Sequence, residues 1–125
     1  MTENEISYEI RGAIFEVYNN LGPGLLESAY EAALGFELGR RGLFYAKQVP
    51  LTMQYESIQL DICYRLDFLV EDKVIIEIKS VETLLNVHHK QLITYLKLSG
   101  LKLGILVNFN TDEIAKSIFR KANGI

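Results

Sequence analysis

One cysteine, Cys63, stands in 125 residues. That excludes an intrachain disulfide and a cysteine-rich zinc site, and a lone thiol fits a reducing compartment. Only two prolines occur, Pro23 and Pro50, and both fall near element boundaries. No apolar run approaches the ~20 residues of a membrane span. The opening residues Met1-Thr2-Glu3-Asn4-Glu5 lack the basic-then-apolar order of a secretory signal, so a cytoplasmic protein without a membrane partner is expected. A basic excess is missing too: 13 Lys and Arg against 16 Asp and Glu give a net charge of -3. A protein that grips nucleic acid mainly by charge is usually basic. The deficit therefore counts against a dedicated nucleic-acid-binding module, and less against an enzyme whose acids gather around a cation. Arg40-Arg41, Lys90, Lys97 and Lys102 are either a basic cluster or ordinary solvated charge. There is no internal repeat, low-complexity tract or linker.

What is present is ordinary globular material. The composition is 49% hydrophobic and 23% charged, enough for a core without a metal or disulfide staple. The length suits one domain over residues 1–125. Ile6, Ile10, Ile14, Val17 and Leu21 recur at helical spacing and predict a helix over about 3–20, stopped by Gly22-Pro23-Gly24. A second helix is predicted over about 25–41, with Leu26, Ala29, Ala33 and Phe36 on one face and Gly42 as its stop. The character then changes: Phe44 to Met53, Ile58 to Val70 and Val74 to Ser80 are rich in β-branched and aromatic residues and read as strands. A third helix is expected over about 84–98, ended by Ser99-Gly100. Leu103 to Phe109 reads as a short buried strand, and Asp112 to Lys121 as a last helix with Thr111 as N-cap. This order predicts an α/β fold whose central mixed sheet is flanked by helices.

The residues that suggest chemistry lie on Tyr64 to Val70 and Val74 to Lys79, joined by Glu71-Asp72-Lys73. If this hairpin is symmetric about Asp72, Val70 faces Val74 and Asp67 faces Glu77, with Cβ atoms roughly 4.5–5.5 Å apart. The strand period puts Lys79 on the face of Glu77, and a one-residue change in turn length would break the pairing. Two opposed carboxylates destabilise a sheet unless one is protonated or a cation bridges them. Leu66, Phe68, Ile76 and Ile78 mark the hairpin as largely buried, which makes a bound cation the natural resolution. Hard oxygen ligands suit Mg²⁺ or Mn²⁺, and a lysine beside such a site can stabilise phosphorane charge or help prepare the attacking water. The bland alternative is a set of solvent-facing charges on an amphipathic hairpin.

Two further groups bear on that choice. His88, Gln91 and Tyr95 share a helix face with Leu84, Leu85 and Leu92. A polar trio on a face packed toward the sheet needs partners; it is either three satisfied core hydrogen bonders or a group that reaches the metal or a phosphate. On the second helix Glu27, Tyr30 and Glu31 share a face. Glu27 stands in the first turn, where the helix dipole favours a carboxylate, so capping competes with a metal role.

Gly24-Leu25-Leu26-Glu27-Ser28-Ala29-Tyr30 resembles the signature of the GxxExxY proteins. So do Gly42-Leu43, Gln48-Val49-Pro50, Tyr64-Arg65-Leu66-Asp67, Glu77-Ile78-Lys79, His88 with Gln91, and Tyr95-Leu96-Lys97, in the same order from Gly22 to Phe109. That family is grouped with the PD-(D/E)XK nucleases, and the resemblance implies their restriction-endonuclease-like core. It makes Asp67 the motif aspartate, Glu77-Ile78-Lys79 the E-x-K element, and Gln91 with Tyr95 a Q-x-x-x-Y pair like that of RecB-type nucleases; Leu66 stands where many members have proline. The function implied is a divalent-metal-dependent nuclease, acting on DNA in preference to RNA. In that reading Asp67, Glu77, Lys79 and Gln91 are catalytic, and Glu27, Asp67, Glu77 and the Ile78 carbonyl hold Mg²⁺ or Mn²⁺. Tyr30, His88 and Tyr95 are accessory, and a homodimer is expected because small nucleases of this kind often pair. The alternative is a non-catalytic nucleic-acid-binding or assembly module that keeps the fold.

Overall fold

Why the first segment is a helix is visible at its start. Thr2 accepts from the Glu5 backbone N–H while the Glu5 carboxylate accepts from that of Thr2, a reciprocal cap that satisfies two orphan donors. In the computed structural model, which describes residues 1–124, helix α1 runs Glu3–Leu21 and buries Ile6, Ile10, Ala13, Ile14 and Val17. Leu21 is exposed, because the stripe leaves the core in the last turn. Helix α2 spans Glu27–Arg40. Its buried stripe is Tyr30, Leu34 and Leu38 rather than the expected Leu26, Ala29, Ala33 and Phe36; Leu26 and Phe36 face outward. Apolar residues occur on both sides of this helix, so spacing alone did not select the buried one.

Three antiparallel strands follow: β1 (Tyr45–Tyr55), β2 (Ile58–Val70) and β3 (Val74–Lys79). The β2–β3 turn holds Glu71 and Asp72 at positive φ, and the Lys73 N–H closes it onto the Val70 carbonyl. Glu71 tolerates that backbone because it is held from both ends: its N–H donates to the Phe44 carbonyl and its carboxylate accepts from the Phe44 N–H. Helix α3 (Asn86–Ser99) then crosses over to β4 (Leu103–Asn108), which lies parallel to β3. A parallel neighbour requires such a crossover. Gly100, in the left-handed region at φ 73°, ends α3.

The final segment differs from the sequence expectation. Ile114–Lys116 is a 3₁₀ turn, and Ile118–Ala122 is a strand, β5, paired antiparallel to β4; the expected helix over 112–121 does not form. Thr111 caps only a turn, accepting from the Glu113 N–H. The cause is tertiary. Every residue of β4 is buried, so its free edge would leave buried backbone groups unpaired. Ile118 and Phe119 also reach the hydrophobic clusters on opposite faces of the sheet.

The sheet order is β1-β2-β3-β4-β5. Helices α1 and α2 pack on one face, over Phe68, Val70, Ile76, Ile78, Ile105 and Val107. Helix α3 packs on the other through Leu92, Tyr95 and Leu96, against Leu66, Ile75 and Leu106. Among the described residues, no helix is long and apolar enough to cross a membrane. The α3 face is tight at Gly104, where an added Cβ would lie 2.8 Å from Leu92 Cδ1. Leu92 is fully buried and has nowhere to swing. Gly104→Ala is therefore expected to destabilise the fold by about 1–3 kcal/mol through overpacking, read as a lowered denaturant midpoint. An unchanged midpoint would mean that α3 can slide on the sheet.

Candidate active site

The hairpin alternates regularly until Asp67, and there it breaks. The β2–β3 ladder pairs Val70 with Val74, Leu69 with Ile75 and Phe68 with Ile76, the register expected for a turn centred on Asp72. Beyond Phe68 the carboxylates replace the backbone pairing. The Asp67 N–H donates to Glu77 Oε2 at 2.8 Å, and the Ile78 N–H donates to Asp67 Oδ2 at 2.7 Å. Each acid thus holds the opposite strand's backbone, and the two are locked side by side.

The neighbouring strand breaks at the same level. Gln48 on β1, which the register sets opposite Asp67, has φ 52°. Leu66 packs toward α3 while Phe68 packs toward α1 and α2, although two-residue spacing would keep them on one face. On β1, Tyr45 and Val49 divide between the two faces in the same way. The hairpin therefore changes face at Gln48 and Asp67, the kind of local irregularity that re-aims side chains beside functional sites.

Burial and like charge shape the acids. Glu77 is 5% exposed; burial, and then the charge of Asp67, push its carboxyl up to about 8, against the pull of the Asp67 N–H and Lys79. Asp67 is raised as well, first by burial, with the Ile78 N–H and Lys79 opposing and the charges of Glu31 and Glu27 adding to it. Lys79, half-buried, is the cation that both acids feel.

Glu27 opens α2 at the rim. Its Oε2 accepts from the Ser80 N–H at 3.4 Å, and Ser80 Oγ donates to the Leu25 carbonyl at 2.5 Å. Ser80 so ties the end of β3 to the start of α2. Glu31, one turn on, accepts from Gln48 Nε2 at 3.1 Å. Sequence spacing placed Glu31 on the face of Glu27. It gave no sign of Gln48 or Ser80, whose contributions depend on a kinked strand and on a contact between segments 53 residues or more apart.

From α3, Tyr95 is nearly buried, and its hydroxyl is pushed up to about 12, chiefly by burial and then by the charge of Glu77, so it stays protonated. Gln91 stands beside it and pulls the other way. Tyr30 and His88 are engaged elsewhere. Tyr30 is fully buried and stacked 4.4 Å from Phe109; its hydroxyl donates to the Gly22 carbonyl and accepts from the Leu25 N–H, bracing the Gly22-Pro23-Gly24 loop. His88 Nδ1 accepts from the Leu85 N–H at the start of α3. Leu85, expected on the packed face, is exposed, since the helix begins only after it.

The donor set can be judged from these contacts. Among the described residues no three His, Cys, Asp or Glu side chains gather closely enough to hold a metal ion, so Glu27 does not form a three-acid set with Asp67 and Glu77. An open site needs less, since Mg²⁺ is commonly held by one or two carboxylates, with waters and substrate phosphates completing its shell. Asp67 and Glu77 each use one oxygen on a backbone N–H and keep the other, and their raised pKa values express a shortage of positive charge that a cation would relieve. The residues present fit a divalent ion. A larger hollow of about 600 Å³ lies elsewhere, between Val49–Thr52 and Lys97–Ser99, and gathers no acids.

Comparison with curated proteins and with solved structures gives no match. The sequence model of the PD-(D/E)XK nuclease superfamily, whose members generally use divalent metals, matches residues 4–121. That span takes in the paired acids, Lys79, helices α2 and α3, and all but the first residue of α1 and the last of β5, and the five-stranded mixed sheet with its three helices is consistent with that fold. The chain belongs to the PD-(D/E)XK nuclease superfamily.

Proposed function

We propose that the protein is a metal-dependent nuclease that hydrolyses phosphodiester bonds, with DNA favoured over RNA and Mg²⁺ or Mn²⁺ as cofactor. The observation that carries this reading is the reciprocal lock of Asp67 and Glu77, two like-charged acids held together in a half-dry site beside Lys79. Asp67 and Glu77 would hold the ion through their second oxygens, with the Ile78 carbonyl as a further ligand and Glu27, at the rim, reaching it through a bound water. When bound, the ion would supply Lewis-acid stabilisation of phosphate charge and a more acidic water. Lys79 would place a fixed cation where charge builds on the phosphate. Gln91 would donate to a phosphate oxygen and the protonated Tyr95 hydroxyl would support it, both from the α3 side. The Gly24–Tyr30 stretch supports placement in the GxxExxY group.

A second reading rests on the same hydrogen bonds. Carboxylates already engaged by backbone N–H groups could be structural, and the net charge of -3 suits an assembly module with no activity. Incubating the full chain with single- and double-stranded DNA and RNA, with Mn²⁺, Mg²⁺ or EDTA, separates the two. The nuclease reading expects cleavage that EDTA abolishes and that Asp67→Asn lacks. Mn²⁺ binding without cleavage of any substrate would leave the module reading.

A further inference from the structure

On the α3 side of the sheet lies a hollow of about 260 Å³ lined by Tyr64, Val87, Lys90, Gln91, Thr94 and Tyr95. Two aromatic rings form its floor, Tyr95 nearly buried and Tyr64 half-buried, with centroids 5.6 Å apart and planes inclined by 48°. An exposed Val87 stands at its rim, with Lys90 and Thr94 open to solvent. The site joins the acids through Tyr95, whose hydroxyl feels the charges of both Glu77 and Asp67.

We propose that this hollow receives one nucleobase next to the scissile phosphate, so that the enzyme cuts nucleic acid where its bases are unstacked, in a single strand or at a frayed end. The inference rests on the nuclease reading and names its substrate class. Inside a duplex, base faces are covered by their neighbours and cannot reach a side-chain ring; a base in a protein pocket has left the stack. An aromatic floor accepts any base, since every base has a π-face. Lys90 at the mouth meets the backbone charge, and Gln91 and Thr94 can donate or accept at the base edge without fixing its identity. The hollow has room for one planar heterocycle and not for a duplex. It also accounts for an acidic chain handling nucleic acid, because stacking supplies affinity where charge does not.

The test uses the full wild-type chain with Mn²⁺ and a labelled oligonucleotide, offered single-stranded, as a blunt duplex, and as a series with one abasic position each. Expected are faster cleavage of the single strand than of the duplex, and one abasic position beside the cut that weakens cleavage about tenfold or more, the scale of one lost base stack. Tyr64→Ala should abolish that abasic effect and Tyr64→Phe should keep it, with Mn²⁺ affinity by calorimetry unchanged in both. Efficient duplex cleavage that is indifferent to every abasic position would overturn the base pocket while leaving the nuclease standing. No cleavage of any substrate by a chain that binds Mn²⁺ would overturn both.

Discussion

Lys79→Ala is expected to lower cleavage by about 10²–10³ while leaving Mn²⁺ affinity nearly unchanged. The two halves of this expectation have separate causes. A lysine does not ligate a metal, and its direct effect on a neighbouring cation is mildly repulsive. It also favours the ionised forms of Asp67 and Glu77, which are the forms that bind. Removing it relieves the repulsion and makes the acids slightly harder to ionise, so the two changes oppose each other in the affinity. In the reaction nothing opposes the loss. Negative charge grows on the transferring phosphate only as the transition state forms, and a fixed cation that meets it there acts on rate rather than on binding. The measurement pairs single-turnover cleavage with Mn²⁺ calorimetry on both proteins. A variant that cleaves like the wild type would make Lys79 an ordinary strand residue. A variant that loses Mn²⁺ binding in proportion to rate would make it a structural support of the acids.

The register of the hairpin was legible from its turn. Glu71-Asp72-Lys73 sets the pairing, whereas the apolar residues of β3 are buried on both faces and select neither. Asp67 and Glu77 could be set opposite each other on that basis. What they do there was not legible. Each acid accepts a backbone N–H from the other strand, an arrangement that exists only because the hairpin changes face at Gln48 and Asp67. Period-two reasoning has no means of expecting a break in its own period.

The last segment shows the opposite weakness. Asp112 to Lys121, with Thr111 before it, reads as a capped helix in isolation, and the deciding fact, the open edge of a fully buried β4, lies in another part of the chain. Tyr30 is a third case. Its spacing from Glu27 put it on the candidate face, yet positions three apart stand about 60° apart around a helix, and its ring goes to Phe109 and its hydroxyl to the loop before α2.

The metal-free protein should lose stability as pH rises from about 5 to about 8, and Glu77→Gln should remove most of that loss. The sign follows from proton counting. Unfolded, the Glu77 carboxyl releases its proton near the ordinary 4.5; folded, it holds on until about 8. Between those values the native state carries more protons than the unfolded one, so stability falls with rising pH. Below 4.5 both states are protonated and the cost is absent; above about 8 both are ionised and the cost is complete. Asp67, raised in the same direction, adds to the slope from the acid side. The full loss is on the order of 2 kcal/mol, allowing for water on the open side of the pair. A glutamine at this position keeps an amide oxygen to accept the Asp67 N–H, so the lock survives while the charge does not. Mn²⁺ acts as the second arm. At about 100 times its dissociation constant it should return roughly 2.7 kcal/mol at the alkaline end, and little at pH about 5, where protons compete for the same oxygens. Urea titrations of both proteins at the two pH values, with and without Mn²⁺, read all of this directly. A wild type whose stability is flat across the window, or a glutamine variant that keeps the wild-type slope, would mean that the pair is solvated enough to ionise freely, and the electrostatic case for a cation between Asp67 and Glu77 would fall with it.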